Sequence, residues 1–125
     1  FLFDQTIGNG SARAKMVKRG CIIQKHKVVP GDRYYASSMS LSKGNSVPTV
    51  MIRWQDANEK WVRWNDDKIF AFQKATGDWQ RTDGVVEVPE NAVYLVILLN
   101  VASQNNEQDI CWFDNLELYK LPALF

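Results

Sequence analysis

Short stretches rich in Val, Ile, Tyr, Phe and Trp run along this chain, broken at close intervals by Gly, Pro and Asn/Asp clusters. The intervals are too short for long helices, and β-branched and aromatic residues fit a half-buried pleated surface. The pattern predicts strands at 11–17, 21–28, 33–42, 49–56, 60–64, 79–88, 93–101 and 110–118. Between them lie recognisable turns: Pro30-Gly31 in VVPGDRYY, the loop DANEK between two Trp-containing strands, then TGDW and VPENA. Short strands at this spacing predict an all-β domain, a two-sheet antiparallel β-sandwich and most simply a jelly roll.

Alternation separates the faces of these strands. In TVMIRWQD, Val50, Ile52 and Trp54 share one side and read as core, leaving Met51, Arg53 and Gln55 on the other. In AVYLVILLN both sides are apolar. Such a strand is either central and covered on both sides, or its second side is a platform for a ligand or a neighbouring domain. In CWFDNLELYKL the acid-amide pair Asp114-Asn115 interrupts what otherwise reads as a buried strand.

Composition narrows the classes. With 125 residues, 46% hydrophobic and 23% charged, residues 1–125 form a single domain. The opening FLFDQTIGNGSARAK has no starting Met and no signal-peptide order, and reads as the cut end of a piece excised from a longer protein. A net charge of +1, with both signs interleaved along the chain, offers no field for a polyphosphate, so no nucleic-acid partner is expected. No stretch approaches the roughly 20 apolar residues of a membrane-spanning helix. Cys21 and Cys111 open two predicted strands, and they are either bridged, if those strands are neighbours, or two buried thiols. A lone histidine, His26, and the absence of Cys/His ligand spacing argue against a zinc cage.

No catalytic constellation stands out, and the expectation is a protein that is not an enzyme. His26 lies between two lysines without a nucleophile motif, and nothing in the sequence brings two of Asp66, Asp67, Glu87, Glu90 and Asp114 together across a cleft. The unusual supply is aromatic, 12% of the chain, with three tryptophans in RWQDANEKWVRW. Trp61 and Trp64 flank a loop in a polar context. An exposed indole stacks on the C–H face of a sugar while Arg, Gln, Asn and Asp bind its hydroxyls; the bland alternative is that every Trp packs in the core.

The order GNGSARAK, CIIQKHKVVPGDRYYASSMSL, PTVMIRWQD, TGDWQRTDGVVEVPENAVYLVILL and CWFDNLELYKL resembles the jelly-roll carbohydrate-binding modules, particularly the group around families four and twenty-two. The likeness runs from about Gly8 to Leu121. It implies a non-catalytic module that binds a poly- or oligosaccharide, tethers an attached glycan-active catalytic domain to it, and is secreted or cell-surface. It implies sugar binding either on the concave face of one sheet, with outward candidates Tyr35, Met39, Arg53, Gln55, Tyr94 and Asn100, or at an edge, with Trp61, Trp64 and Trp112. It also implies a structural calcium with Asp114 among its ligands. The chain departs from the pattern here, because the N-terminal strand with its Glu is not recognisable and Asp4 is the only early acid, while a hard cation needs several oxygens. Asp114 therefore either joins a metal site or caps neighbouring backbone N–H groups. The runner-up function is a structural or protein-interaction sandwich whose second apolar face, over 92–101, packs on a neighbouring domain.

Overall fold

The computed structural model describes residues 2–4, 11–15, 19–44, 48–72, 77–102, 104 and 108–123, with side chains described from residue 23 onward except those of 64 and 102. Among these residues the strands are β1 (Leu2–Asp4), β2 (Ser11–Lys15), β3 (Arg19–Lys27), β4 (Arg33–Lys43), β5 (Thr49–Gln55), β6 (Lys68–Ala71), β7 (Gln80–Glu87), β8 (Tyr94–Ala102) and β9 (Ile110–Lys120). They form two antiparallel sheets, one of five strands in the order β1-β2-β9-β4-β7 and one of four in the order β3-β8-β5-β6. This is the two-sheet sandwich that the alternation predicts. Between the sheets lies one apolar core built from Val50, Ile52, Trp54, Leu95, Ile97 and Leu99 on one side and Ala36, Val86, Cys111 and Phe113 on the other.

Three elements differ from the expectation. A short N-terminal strand exists, β1 pairing with β2, although its residues carry too little pattern to predict it. The predicted strand over 60–64 is reduced to a bridge between Gln55 and Trp61, followed by a 3-10 turn at Trp64–Asp66. That turn supports the core, because the carbonyl of Asp66 accepts the indole N–H of buried Trp54 at 2.9 Å and satisfies a donor that burial would otherwise orphan. The strand that does close this sheet is β6, which the period-two pattern does not mark.

The interruption at Asp114-Asn115 is a β-bulge. Ser37 on β4 faces Glu117 and Met39 faces Asp114, so the single residue Ser38 of β4 is matched by two of β9, Asn115 and Leu116. Asn115 takes up the extra residue with φ 49, and its N–H donates to Asp114 Oδ1 at 2.7 Å. The bulge switches the side-chain parity of β9. Leu118 and Leu116 point inward on one side of it, Phe113 and Cys111 on the other, so Tyr119, Glu117, Asp114 and Trp112 lie along the opposite side of the sheet.

Cys111 is a free thiol with no exposed surface, 3.8 Å from the Gln104 side-chain amide, and burial pushes its pKa up to about 12. The bridge to Cys21 is therefore not formed: Cys21 lies on β3 of the other sheet, opposite Asn100, with its side chain outside the described residues. A Cys21→Ser variant should leave one thiol that is inert to a disulfide reagent at pH 8 in the native state and reacts once the protein is unfolded, because the thiolate is the nucleophile. Immediate reaction of the native protein would contradict this burial.

Candidate ligand-binding face

The five-stranded sheet turns its outer side away from the core, and register fixes which side chains meet there. Tyr34 packs against the core, so its neighbour Tyr35 faces outward, between Val85 on β7 and Tyr119 on β9. Tyr119 is 55% exposed and Val85 54%, with Tyr35 half-buried between them, so this row is an apolar strip three strands wide that is open at both ends. At a strand spacing of about 4.8 Å it spans roughly 10 Å, the length of about two sugar residues. The next row holds Asp83, Ser37 and Glu117, and the one after it Arg81, Met39 and Asp114.

These polar groups fix the platform. Arg81 Nη2 donates to Tyr35 Oη at 2.6 Å, and Tyr35 Oη donates to Asp83 Oδ2 at 2.7 Å. A phenol held between a guanidinium and a carboxylate has little freedom to rotate, so the ring is presented ready for contact. The hydrogen bond with Tyr35, with smaller help from the charges of Asp83 and Glu117, raises the pKa of the exposed Arg81 guanidinium above its ordinary value. Ser37 Oγ lies 3.4 Å from Glu117 Oε2. Beyond the tyrosine row the face opens into a hollow of about 610 Å³ lined by Arg33, Glu87, Lys120 and Leu121, with the Pro30-Gly31 turn at its rim contributing Gly31 and Asp32. Lys120 and Asp32 are ion-paired there at 3.2 Å.

The residues expected to share one face are divided between the two sheets. Tyr35 and Met39 lie on the face just described, with Trp112 two rows beyond Ser37, opposite Leu41, and Asp114 beside Met39. Trp112 belongs to the sheet rather than to an edge loop and is only 8% exposed, with Lys43 Nζ 5.7 Å from its ring centre. Arg53, Gln55 and Tyr94 are on the outer side of the four-stranded sheet, where Trp61 joins them through its bridge to Gln55. Asn100 is on that side too, but six residues along β8 from Tyr94, roughly 20 Å away. The Trp64 side chain lies outside the described residues. Asp114 spends one carboxylate oxygen on the Asn115 N–H, and among the described residues no three metal-ligating side chains cluster; the Asp4 side chain lies outside them.

Alternation alone misses Tyr119, Ser37, Asp83, Arg81 and Glu117. For Ser37 the signal is present, since it lies on the Tyr35–Met39 side of β4. For Tyr119 and Glu117 the bulge scrambles it, because counting in twos from Phe113 puts both inside.

No protein-family profile matches the chain, and no curated protein sequence does. Solved structures do. Tailspike protein 4 of bacteriophage CBA120, in its enzymatically active domain, superposes with a TM-score of 0.73 at 17% identity, covering 94% of this chain and 16% of that one. A family 16 carbohydrate-binding module gives 0.64 at 19% identity, covering 90% of this chain and 77% of that one. The CBM22-1–GH10 modules of Clostridium thermocellum xylanase 10B, complexed with xylohexaose, give 0.68 at 13% identity over 96% of this chain and 24% of that one. This chain has the carbohydrate-binding-module fold. The jelly-roll fold is shared further with family 4 and family 61 modules, the latter in complex with β-1,4-galactotriose. The chain spans about a sixth of the tailspike domain and a quarter of the CBM22-1–GH10 chain, so the activities of those proteins are not transferred with the fold.

Proposed function

We propose that the protein is a carbohydrate-binding module that takes a neutral poly- or oligosaccharide on the outer face of its five-stranded sheet. One observation carries the reading: exposed Tyr119 and half-buried Tyr35 stand beside a row in which the exposed carboxylates Asp83 and Glu117 flank the buried Ser37. Sugar rings would stack on the tyrosines through their C–H faces while their hydroxyls donate to the two carboxylates and accept from Arg81. The fold shared with modules whose structures hold xylohexaose and β-1,4-galactotriose supports the ligand class. Tethering of an attached catalytic domain, by which a module raises the local concentration of substrate, is the role we propose for it in a longer protein. The carboxylates Asp83 and Glu117 flank Ser37 on an open surface, and we assign them to hydroxyl binding rather than to acid-base chemistry.

The test is a glycan array with insoluble-polysaccharide pull-down, run with calcium and with chelator, on the wild type and Arg81→Met. Loss of Arg81 frees the Tyr35 ring and removes a donor, so retention on a bound glycan should fall about five- to thirtyfold, corresponding to about 1–2 kcal/mol. Failure to bind any glycan, from a well-folded protein, would favour the protein-interaction sandwich. That second reading rests on the row Ile23, Leu98, Met51 and Ile69 across the four-stranded sheet, whose two end residues are more than half exposed.

A further inference from the structure

We infer that the free edge of β7 pairs with the same edge of a second copy of this chain, antiparallel about a two-fold axis at Gly84, so that Arg81 meets the partner's Glu87. The sheet orders leave β1 and β7 at the edges of one sheet and β3 and β6 at those of the other. An edge strand offers unpaired N–H and C=O groups to any other strand, and proteins blunt such edges with short strands, lysines, prolines or bulges. Three of these edges are blunted. β1 and β6 have only three and four residues. β3 has nine but carries Arg19, Lys25 and Lys27, and self-pairing over its whole length sets Arg19 against Lys27. By contrast β7 has eight residues, no lysine, no proline and no register shift along its pairing with β4. Its other side has no strand partner among the described residues.

Faces and charges select the register. Directly opposite residues of an antiparallel pair point to the same side, so two copies of one strand pair about a single residue. Val86 is buried in the core, which turns Arg81, Asp83, Val85 and Glu87 outward. Centred on Asp83, the pair sets two carboxylates against each other on the axis. Centred on Thr82, it sets Arg81 against the partner's Asp83 but engages only 80–84 of the strand. Centred on Gly84, it engages 81–87 and sets Arg81 opposite the partner's Glu87, twice by symmetry; opposite charges facing each other across strands are stabilising, like charges destabilising. Both groups are available. Arg81 gives Nη2 to Tyr35 and holds Nε 3.9 Å from Asp83, yet its side chain is 55% exposed and the guanidinium has further donors. Glu87 is exposed and has no hydrogen bond or ion pair among the described residues, although Arg33 is its neighbour on β4, so the partner's Arg81 would complete a carboxylate flanked by two cations. Val85, more than half exposed in one copy, is covered by the second strand. The half-buried Phe70, seated over Gly84, would meet its copy at the axis. This axis stands perpendicular to the sheet, so the outer faces of both copies point the same way and, on the reading above, a polysaccharide would meet the tyrosine strip twice.

The test is sedimentation velocity of the full chain over roughly 10 µM to 1 mM, a range set by the weak association expected of an interface one strand long. The wild type should pass from monomer to dimer as concentration rises. Glu87→Arg and Arg81→Glu each bring like charges together at both pairs and should weaken dimerisation by about tenfold or more. An equimolar mixture of the two variants again opposes every cation to a carboxylate, so it should dimerise about as well as the wild type, which a general loss of fold in either variant would not allow. A monomer at every concentration, a dimer indifferent to either substitution, or a mixture that stays monomeric overturns the proposal, the first leaving the edge to a strand of another protein. No glycan enters the measurement, so failure of this interface is distinguishable from failure of the sugar site.

Discussion

Replacing Tyr35 and Tyr119 together by alanine should abolish measurable glycan retention while the protein stays folded. Each ring would cover on the order of 60 Å² of sugar C–H surface, about 1.5 kcal/mol at the usual area coefficient. The pair then contributes about 3 kcal/mol, a change in affinity of roughly 150-fold. Tyr35→Ala should be the more damaging single change, because it also releases the hydroxyl that joins Arg81 to Asp83. Tyr35→Phe separates the two effects, keeping the ring and removing the clamp, and should lose only about three- to tenfold. The tyrosines face away from the core, so circular dichroism and thermal unfolding should move little, by about 0.5 kcal/mol. Affinity electrophoresis in soluble polysaccharide, run beside thermal melts, reads both quantities. Full retention by the double variant would remove the tyrosine strip from the site.

Adding a single methyl group at Gly84 should be strongly destabilising. A Cβ there would lie 2.2 Å from Phe70 Cε1 and 2.6 Å from Cζ, well inside contact distance. Gly84 faces Ala36 across β4 and β7, and these two smallest side chains leave the space into which the Phe70 ring from the other sheet inserts. Gly84→Ala must therefore push the ring out of the core, an overpacking cost of about 1–3 kcal/mol. For a domain of this size that lowers the melting temperature by roughly 4–12 °C. Phe70→Leu should recover part of the loss when combined with Gly84→Ala, which a double-mutant cycle by urea denaturation would measure. A neutral Gly84→Ala would mean that the sheets do not meet at this point.

The sandwich is legible in the sequence because period-two patterning survives in its central strands. In β5 the burial alternates at every residue from Thr49 to Gln55, and in β8 both sides are covered, as its two apolar faces require. The site is legible only in part. Alternation says which residues share a side of one strand, but not which sheet a strand joins, so it groups Tyr35 with Arg53, Gln55 and Tyr94 although the sandwich places them on opposite faces. The local break at Asp114-Asn115 is visible in the sequence as a polar pair, yet its consequence, the parity switch that brings Tyr119 and Glu117 beside Tyr35 and Ser37, depends on pairing with β4. Trp112 shows the converse: a large aromatic side chain in a promising motif that the fold largely covers.

The most direct test of the central claim is a map of backbone amide shifts on titration with xylohexaose and with β-1,4-galactotriose. The perturbed amides should cluster on β4, β7 and β9 around Tyr35, Ser37, Asp83 and Glu117, and Tyr35→Ala should erase the pattern. Shifts confined to the 56–66 loop, or to the outer side of the four-stranded sheet, would contradict the claim.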